Sequence, residues 1–183
     1  MREVRSFLFT LFAVISVSMA GLTGQSIAQR ATMSDQALDK KVEKRLRGLS
    51  RANVFDHITH QVNSGTVVLS GKVYTLGTIN EAVDSIKRLP GVVEVVNNME
   101  TLPPSPFDDR IRREAYRSFV SRGPGQYFST INPDVRIIVE GGRITLEGHV
   151  LRQSDSNLLN VLANGVSGTF SVTNNLVVGK IAG

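Results

Sequence analysis

The sequence predicts an α+β (α/β) protein of two tandem α-β-β-α-β domains, each a three-stranded mixed sheet with two helices on one face. The first observation is an internal repeat, because glycines and β-branched residues recur 77 positions apart, as from Gly65 to Gly142. The second is that apolar runs of period two surround tight glycine turns, which is typical of β-hairpins. The third is that each hairpin precedes an apolar pattern of helical period and then a β-branched run.

The repeat is clearest over two blocks in each half of the chain. The block Gly65–Val73 recurs as Gly142–Val150, and the block Gly91–Asn98 recurs as Gly168–Asn175. Both pairs have the same spacing (142 − 65 and 168 − 91), so one unit was duplicated with its internal geometry intact. The glycines common to both copies are predicted to be structural: Gly65, Gly71, Gly91, Gly142, Gly148 and Gly168.

The chain opens with the pattern of a signal peptide over residues 1–28. Arginines precede an apolar run at 7–19, and small residues ending at Ala28 form the cleavage site, with Ala20 as second choice. The apolar run has 13 residues, whereas a membrane-spanning helix needs roughly 20. An uncleaved membrane anchor is therefore the less favoured alternative, and in both cases we expect the rest of the chain to leave the cytoplasm.

Composition narrows the classes of partner. The sequence has no cysteine, which excludes disulfides, thiolate metal sites, thiol nucleophiles and a lipidated N-terminal cysteine. The formal net charge is +5, and removal of residues 1–28 gives +4, because two arginines and one glutamate leave (5 − 2 + 1). A positive charge favours anionic partners. In an exported protein we expect these to be phospholipid headgroups or lipopolysaccharide rather than nucleic acid.

The first domain is predicted over residues 35–102, after a short flexible leader at 29–34. Its first helix begins at Asp35, because an apolar residue then recurs every three or four positions while lysines and arginines fill the others. Ser34 or Asp35 can cap the first free amides, and Gly48 is the expected stop.

A hairpin with its turn at Ser64-Gly65 follows that helix. Gly71 lies on the apolar phase of the second strand, where we expect either a bend in the strand or close packing by another element, with the next helix as the candidate. That helix is predicted from Thr78 to Leu89, and a third strand runs from Val92 to Met99. A strand reached through a helical crossover is expected to lie parallel to one of the earlier strands.

A proline-rich linker at 103–107 separates this domain from the second, which is predicted over 108–178 with a tail at 179–183. The second domain repeats the same elements. Its last strand is expected to include Phe170.

The first helices of the two copies align at an offset of 69, which pairs Val42 with Ile111 and Leu46 with Ala115. The later elements align at 77, so the second copy is expected to carry about eight extra residues. This insertion contains the segment 122–128, which its glycines and proline predict to be a loop.

The blocks Gly65–Val73 and Gly91–Met99, with their copies Gly142–Val150 and Gly168–Leu176, resemble the BON domain (bacterial osmotically inducible Y and nodulation). The resemblance implies a non-catalytic periplasmic protein that associates with phospholipid and supports envelope integrity or osmotic stress tolerance. The missing cysteine separates this chain from the lipoprotein members.

For lipid binding, the first helix of the second copy and its following loop are favoured, because basic residues there mix with interface-seeking aromatics. The predicted lipid-binding residues, whose arginines are expected to face solvent, are Arg110, Arg112, Arg113, Tyr116, Arg117, Arg122, Tyr127 and Phe128. Packing of the loop aromatics against their own domain is the alternative. On the first helix of the chain a solvated face is favoured, because Glu43 can pair with Arg47.

The sequence predicts no catalytic residue, cofactor or metal site. His57 and His60 point to opposite faces of the strand inferred for them, and neither a nucleophile motif nor a phosphate loop occurs. The alternative function is a protein-interaction or assembly module of an envelope or secretion complex. Its outward contact residues would be Val68, Tyr74 and Leu151.

Overall fold

The computed structural model describes residues 22–129 and 132–179, with side-chain surroundings from Ser34 onward. The predicted signal peptide lies mostly outside this part of the chain. Domain 1 contains α1 (Leu22–Arg47), β1 (His57–Asn63), β2 (Thr66–Val73), α2 (Leu76–Lys87) and β3 (Glu94–Thr101). Domain 2 contains α3 (Pro106–Arg122), a 3-10 turn (Gly125–Tyr127), β4 (Val135–Glu140), β5 (Arg143–Val150), α4 (Gln153–Asn164) and β6 (Ser171–Val178). None of the helices described is long and apolar enough to cross a bilayer.

Each domain has a three-stranded mixed sheet with its second strand in the centre. In domain 1, β1 pairs antiparallel with β2, and β3 pairs parallel with β2. Domain 2 repeats this order with β4, β5 and β6. The two helices pack on one face, where Val42 of α1 and Ile86 of α2 share a core with Leu69 of β2. The predicted fold class is confirmed.

A carboxylate on the first helix of each domain holds the hairpin turn. Asp108 accepts hydrogen bonds from both amides of the Gly141-Gly142 turn, at 3.0 and 2.8 Å. Asp35 accepts the equivalent bonds from the Ser64-Gly65 turn, at 2.9 and 3.3 Å. We call each arrangement a turn clamp, and it ties the helix to the sheet at the same point in both copies.

The turn clamps fix how the two first helices correspond. The clamping carboxylates are 73 positions apart (108 − 35), whereas the turns are 77 apart (141 − 64). The same offset of 73 relates Leu38, which lies beside Gly91, to Ile111, which lies beside Gly168. The predicted offset of 69 is therefore wrong by about one helical turn, and the insertion in the second copy is four residues (77 − 73) rather than eight.

Both first helices start earlier than predicted. α1 begins at Leu22, so the segment 29–34 is helical and not a leader of irregular structure. Asp35 does not cap α1, because its carboxylate is bonded to the hairpin turn. α3 begins at Pro106, inside the linker predicted at 103–107, since proline is well tolerated in the first turn of a helix.

Gly71 and Gly148 are required by close approach of the backbone. Their φ angles are +130° and +113°, in the region that favours glycine. A Cβ on Gly71 would lie 2.1 Å from the carbonyl oxygen of His57, and one on Gly148 would lie 2.0 Å from that of Asp134. The prediction that the next helix packs over Gly71 is wrong, because its close neighbour is the preceding strand.

The segment Asn53–Phe55 of domain 1 packs on domain 2 and holds the two domains together. The carbonyl oxygen of Val54 accepts a hydrogen bond from the amide of Ile137 on β4, at 2.8 Å. The Val54 side chain is buried in the core of domain 2, and the Phe55 ring lies 6.4 Å from that of Tyr116. Domain 1 thus covers the outer edge of β4.

Removal of the turn clamp should destabilise the two domains unequally. Asp108 is buried, so Asp108→Ala leaves two turn amides without their charged acceptor and should cost about 2 to 3 kcal/mol of unfolding free energy. Asp35 is partly exposed, so Asp35→Ala should cost about 1 kcal/mol, because water can replace the carboxylate. Urea unfolding of both variants measures the difference, and an unchanged stability for Asp108→Ala would contradict the role of the clamp.

Candidate functional site

The outer face of α3 carries an exposed basic surface. Its members are the four predicted arginines that are exposed, here called the arginine face: Arg110, Arg113, Arg117 and Arg122. None of them forms a salt bridge in the described part of the chain. On α1, by contrast, Arg47 pairs with Glu43 at 3.0 Å, which confirms the predicted pair. The guanidinium charges of the arginine face are therefore available to an anionic partner.

An exposed aromatic pair, Phe107 and Phe170, lies at the N-terminal end of the arginine face. The two ring centroids are 6.2 Å apart, and the guanidinium of Arg110 lies 5.3 Å from the centroid of Phe107. Phe170 is 76% exposed and Phe107 is 38% exposed. A large apolar surface beside unpaired cations is typical of a site that meets an interface.

Sequence reasoning missed this pair. It placed Phe170 in the last strand, but β6 begins one residue later and the ring points to solvent. The repeat carried a signal, since Phe170 lies 77 positions after Val93, which is also largely exposed. At the helix offset of 73, Ser34 and Ala37 stand where domain 2 has Phe107 and Arg110. The aromatic pair belongs to domain 2 alone.

The prediction that Arg112 faces solvent is wrong. It is 2% exposed, and its Nη1 donates to Asp109 Oδ1 at 2.6 Å, while its Nη2 donates to the carbonyl oxygen of Val139. Its guanidinium also lies 5.1 Å from the ring centroid of Tyr74 in domain 1. The Tyr74 hydroxyl donates to Asp109 at 3.1 Å. Burial raises the pKa of Tyr74, and this hydrogen bond raises it further. Arg112 thus connects α3, β4 and domain 1.

The loop aromatics pack into the core of domain 2, as the alternative reading proposed. Tyr127 is 1% exposed, its hydroxyl donates to Asp155 at 2.7 Å and accepts from the amide of Leu151, and burial raises its pKa. Phe128 is also buried, and Tyr116 is half-buried with its ring edge against Phe128. None of these three rings therefore forms a free aromatic surface.

A cleft of about 400 Å³ separates β1 from the start of β4. All three histidines of the chain line it, and His60 Nε2 lies 3.0 Å from Asp39 Oδ1. Burial lowers the pKa of His57 and raises the pKa of Asp56, while the nearby Arg136 opposes the latter shift. In residues 22–129 and 132–179, no three histidine or carboxylate side chains are grouped as metal ligands.

A comparison with known protein families finds one match in each copy of the repeat. The sequence profile of the BON domain matches residues 34–103 and 108–180. No curated protein sequence matches the chain. The C-terminal domain of CdsD, the structural protein of the type III secretion system of Chlamydia trachomatis, is 15% identical, with 80% of this chain and 66% of that chain covered and a TM-score of 0.30. A second CdsD structure is 12% identical, with 75% and 92% covered and a TM-score of 0.32.

Arg112 and Arg113 are adjacent and should differ in their contribution to stability. Arg112→Ala removes a buried cation, leaves the Val139 carbonyl without its donor and leaves Asp109 with the Tyr74 hydroxyl alone, so it should cost about 3 kcal/mol. Arg113→Ala removes an exposed side chain and should change stability by about 0.5 kcal/mol or less. Urea unfolding measures both, and equal effects would contradict the interdomain role of Arg112.

Stability should fall as the pH falls below 6.5. Because burial lowers the pKa of His57 from its ordinary value of 6.5, the unfolded chain binds this proton more readily than the folded protein does. The stability that comes from keeping His57 neutral is fully present above pH 6.5, and it is lost as the pH falls towards the pKa of His57 in the folded protein. Urea unfolding between pH 8 and pH 5.5 should give a shallower dependence for His57→Gln, and an unchanged slope would contradict this account.

Proposed function

Because the chain belongs to the BON domain family, with one copy in each half, we propose that it is a non-catalytic, envelope-associated periplasmic protein that binds anionic phospholipid weakly. Export by the signal peptide at residues 1–28 brings it there. The observation that carries the proposal is the unpaired arginine face of α3, which ends in the exposed Phe107–Phe170 pair. Its role in the cell is to support envelope integrity and osmotic stress tolerance.

The chemistry of this surface suits a headgroup layer. Each arginine near an anionic membrane surface is worth about 1 kcal/mol, so a few together give weak binding that salt screens. The aromatic pair adds apolar area that can enter the boundary between headgroups and acyl chains. Arg110, which lies over Phe107, can keep its guanidinium among the phosphates while the ring enters this boundary.

The set of contact residues differs from the one that the sequence suggested. Arg112, Tyr127 and Phe128 are buried and offer no surface to a membrane, and Tyr116 packs against its own domain. The proposed contact residues are Arg110, Arg113, Arg117, Arg122, Phe107 and Phe170.

Sedimentation of the full chain with vesicles tests the proposal. Phosphatidylglycerol vesicles at low salt should bind the protein, and phosphatidylcholine vesicles or high salt should not. The triple variant Arg110→Ser, Arg113→Ser, Arg117→Ser should weaken binding about 100-fold, since it removes three contributions of about 1 kcal/mol.

The matched control changes three exposed lysines of α1, Lys40→Ser, Lys41→Ser and Lys44→Ser, which removes the same net charge. This control should bind nearly as the unchanged protein does. Equal losses in the two variants would show attraction by net charge alone, and no binding under any condition would remove the phospholipid function.

The second candidate is a protein-interaction module of an envelope complex, which one observation favours. On α4, Leu158 and Val161 are 41% and 66% exposed, whereas α2 has Glu81 and Asp84 at the positions 77 residues earlier. The apolar side chains occupy a face that domain 1 leaves charged. A stable oligomer in the absence of lipid, lost in the double variant Leu158→Glu, Val161→Asp, would support this candidate.

A further inference from the structure

The outer edge of β4 in domain 2 is closed by contacts from two other segments. The amide of Ile137 donates to the carbonyl oxygen of Val54, at 2.8 Å. Farther along the same edge, the carbonyl oxygen of Val139 accepts from the guanidinium of Arg112. Both backbone groups point away from β5, and both are satisfied.

The equivalent edge in domain 1 is open. His60 lies opposite Leu69 on β2, just as Ile137 lies opposite Leu146 on β5, so the two hairpins share one register. In an antiparallel pair, backbone groups point alternately toward and away from the partner strand. The amide of His60 and the carbonyl of Val62 therefore face outward. Among the residues that the structure describes, none accepts a hydrogen bond from this amide, and none donates one to this carbonyl.

The difference comes from one position on the first helix. At the offset of 73, Asp39 on α1 stands where Arg112 stands on α3. A carboxylate has no proton to give to the carbonyl of Val62, and Asp39 instead lies 3.0 Å from His60 Nε2. Domain 1 therefore has an anion where domain 2 supplies the cation that closes its own edge.

A groove follows the open edge of β1. Its wider part is the cleft of about 400 Å³, where Glu43, Ile58 and His60 form one wall and domain 2 residues at the start of β4 form the other. A smaller cavity of about 280 Å³ continues along β1 and α1 and is lined by Asp39 and Val62. A strand rises about 3.3 Å per residue, so this length of β1 can pair with about five residues of extended chain.

We propose that this groove binds an extended peptide segment of another protein, which adds a strand to β1 and places an arginine or lysine beside Asp39. The peptide backbone accepts from the amide of His60 and donates to the carbonyl of Val62. The basic side chain takes the place that Arg112 has in domain 2. Strand addition of this kind takes its affinity from main-chain hydrogen bonds and its specificity from side-chain pockets.

Three observations support this occupant. The matching edge of β4 already takes a backbone partner from elsewhere in the chain, because the turn at Asn53–Asp56 presents the carbonyl oxygen of Val54 to the amide of Ile137. The outward amide of His60 and carbonyl of Val62 need an acceptor and a donor spaced along the strand, which is the spacing that a peptide backbone provides. A second copy cannot supply its own Asn53–Phe55, because that segment is bound to its own domain 2.

Selection of displayed random octapeptides against the full chain tests the proposal. We expect enriched sequences to share a basic residue, and a labelled octapeptide from that set serves as the probe. Its binding should shift the amide resonances of His57–Asn63 and leave those of β4 unchanged.

Two pairs of variants isolate the contacts. His60→Pro removes the outward amide, which the pairing with β2 does not use, and His60→Ala loses the same ring but keeps that amide. The probe should bind His60→Pro at least tenfold more weakly than His60→Ala. Asp39→Arg places on α1 the residue that closes the edge in domain 2, so it should abolish binding, while Asp39→Asn should weaken it several-fold.

The outcomes separate the possible occupants. No enrichment above the starting library, or equal affinity of the probe for the unchanged chain and for Asp39→Arg, would overturn the proposal. Resonance shifts confined to the α4 face would overturn it as well. If Asp39→Arg converts a dimer to a monomer and no peptide is enriched, the occupant is a second copy and the proposal fails.

Discussion

The docking of Asn53–Phe55 on the edge of β4 is the interaction on which the rest of the structure depends. Val54 lies in the core of domain 2 and its carbonyl oxygen accepts from Ile137, so that core is completed by a residue of domain 1. Arg112 closes the same edge farther along and packs on a tyrosine of domain 1. The two repeats are therefore not interchangeable: domain 2 has a closed sheet edge, and domain 1 has an open one.

A comparison of the two copies distinguishes residues that the fold requires from residues that vary on the surface. Both copies keep the turn clamp and the glycine that contacts the preceding strand, because each satisfies or makes room for backbone groups. The exposed positions have diverged in chemistry, as Phe170 against Val93 and Val161 against Asp84 show. These differences fit the two proposals, in which the arginine face of domain 2 binds a membrane and the β1 edge of domain 1 binds a peptide.

The spacing of 77 predicted the two domains. The hairpins and the mixed sheets were predictable as well, because strand periodicity and glycine turns are local signals. The register of the first helices was not recoverable in the same way. An apolar residue recurs every four positions there, so a shift of one turn preserves the pattern. The burial of Arg112 was also hidden, because its aromatic partner, Tyr74, lies in the other domain. Phe107 and Phe170 come together only through the fold, since they are 63 positions apart (170 − 107).

Tryptophan fluorescence tests the membrane role of domain 2 most directly, because the chain has no tryptophan of its own. Phe170 and Val93 occupy equivalent positions and are 76% and 82% exposed, so Phe170→Trp and Val93→Trp place one reporter on each domain. With vesicles containing phosphatidylglycerol and brominated lipid, the reporter at 170 should shift to the blue and be quenched, while the reporter at 93 stays in water. Equal responses at both positions, or none at 170, would contradict the account.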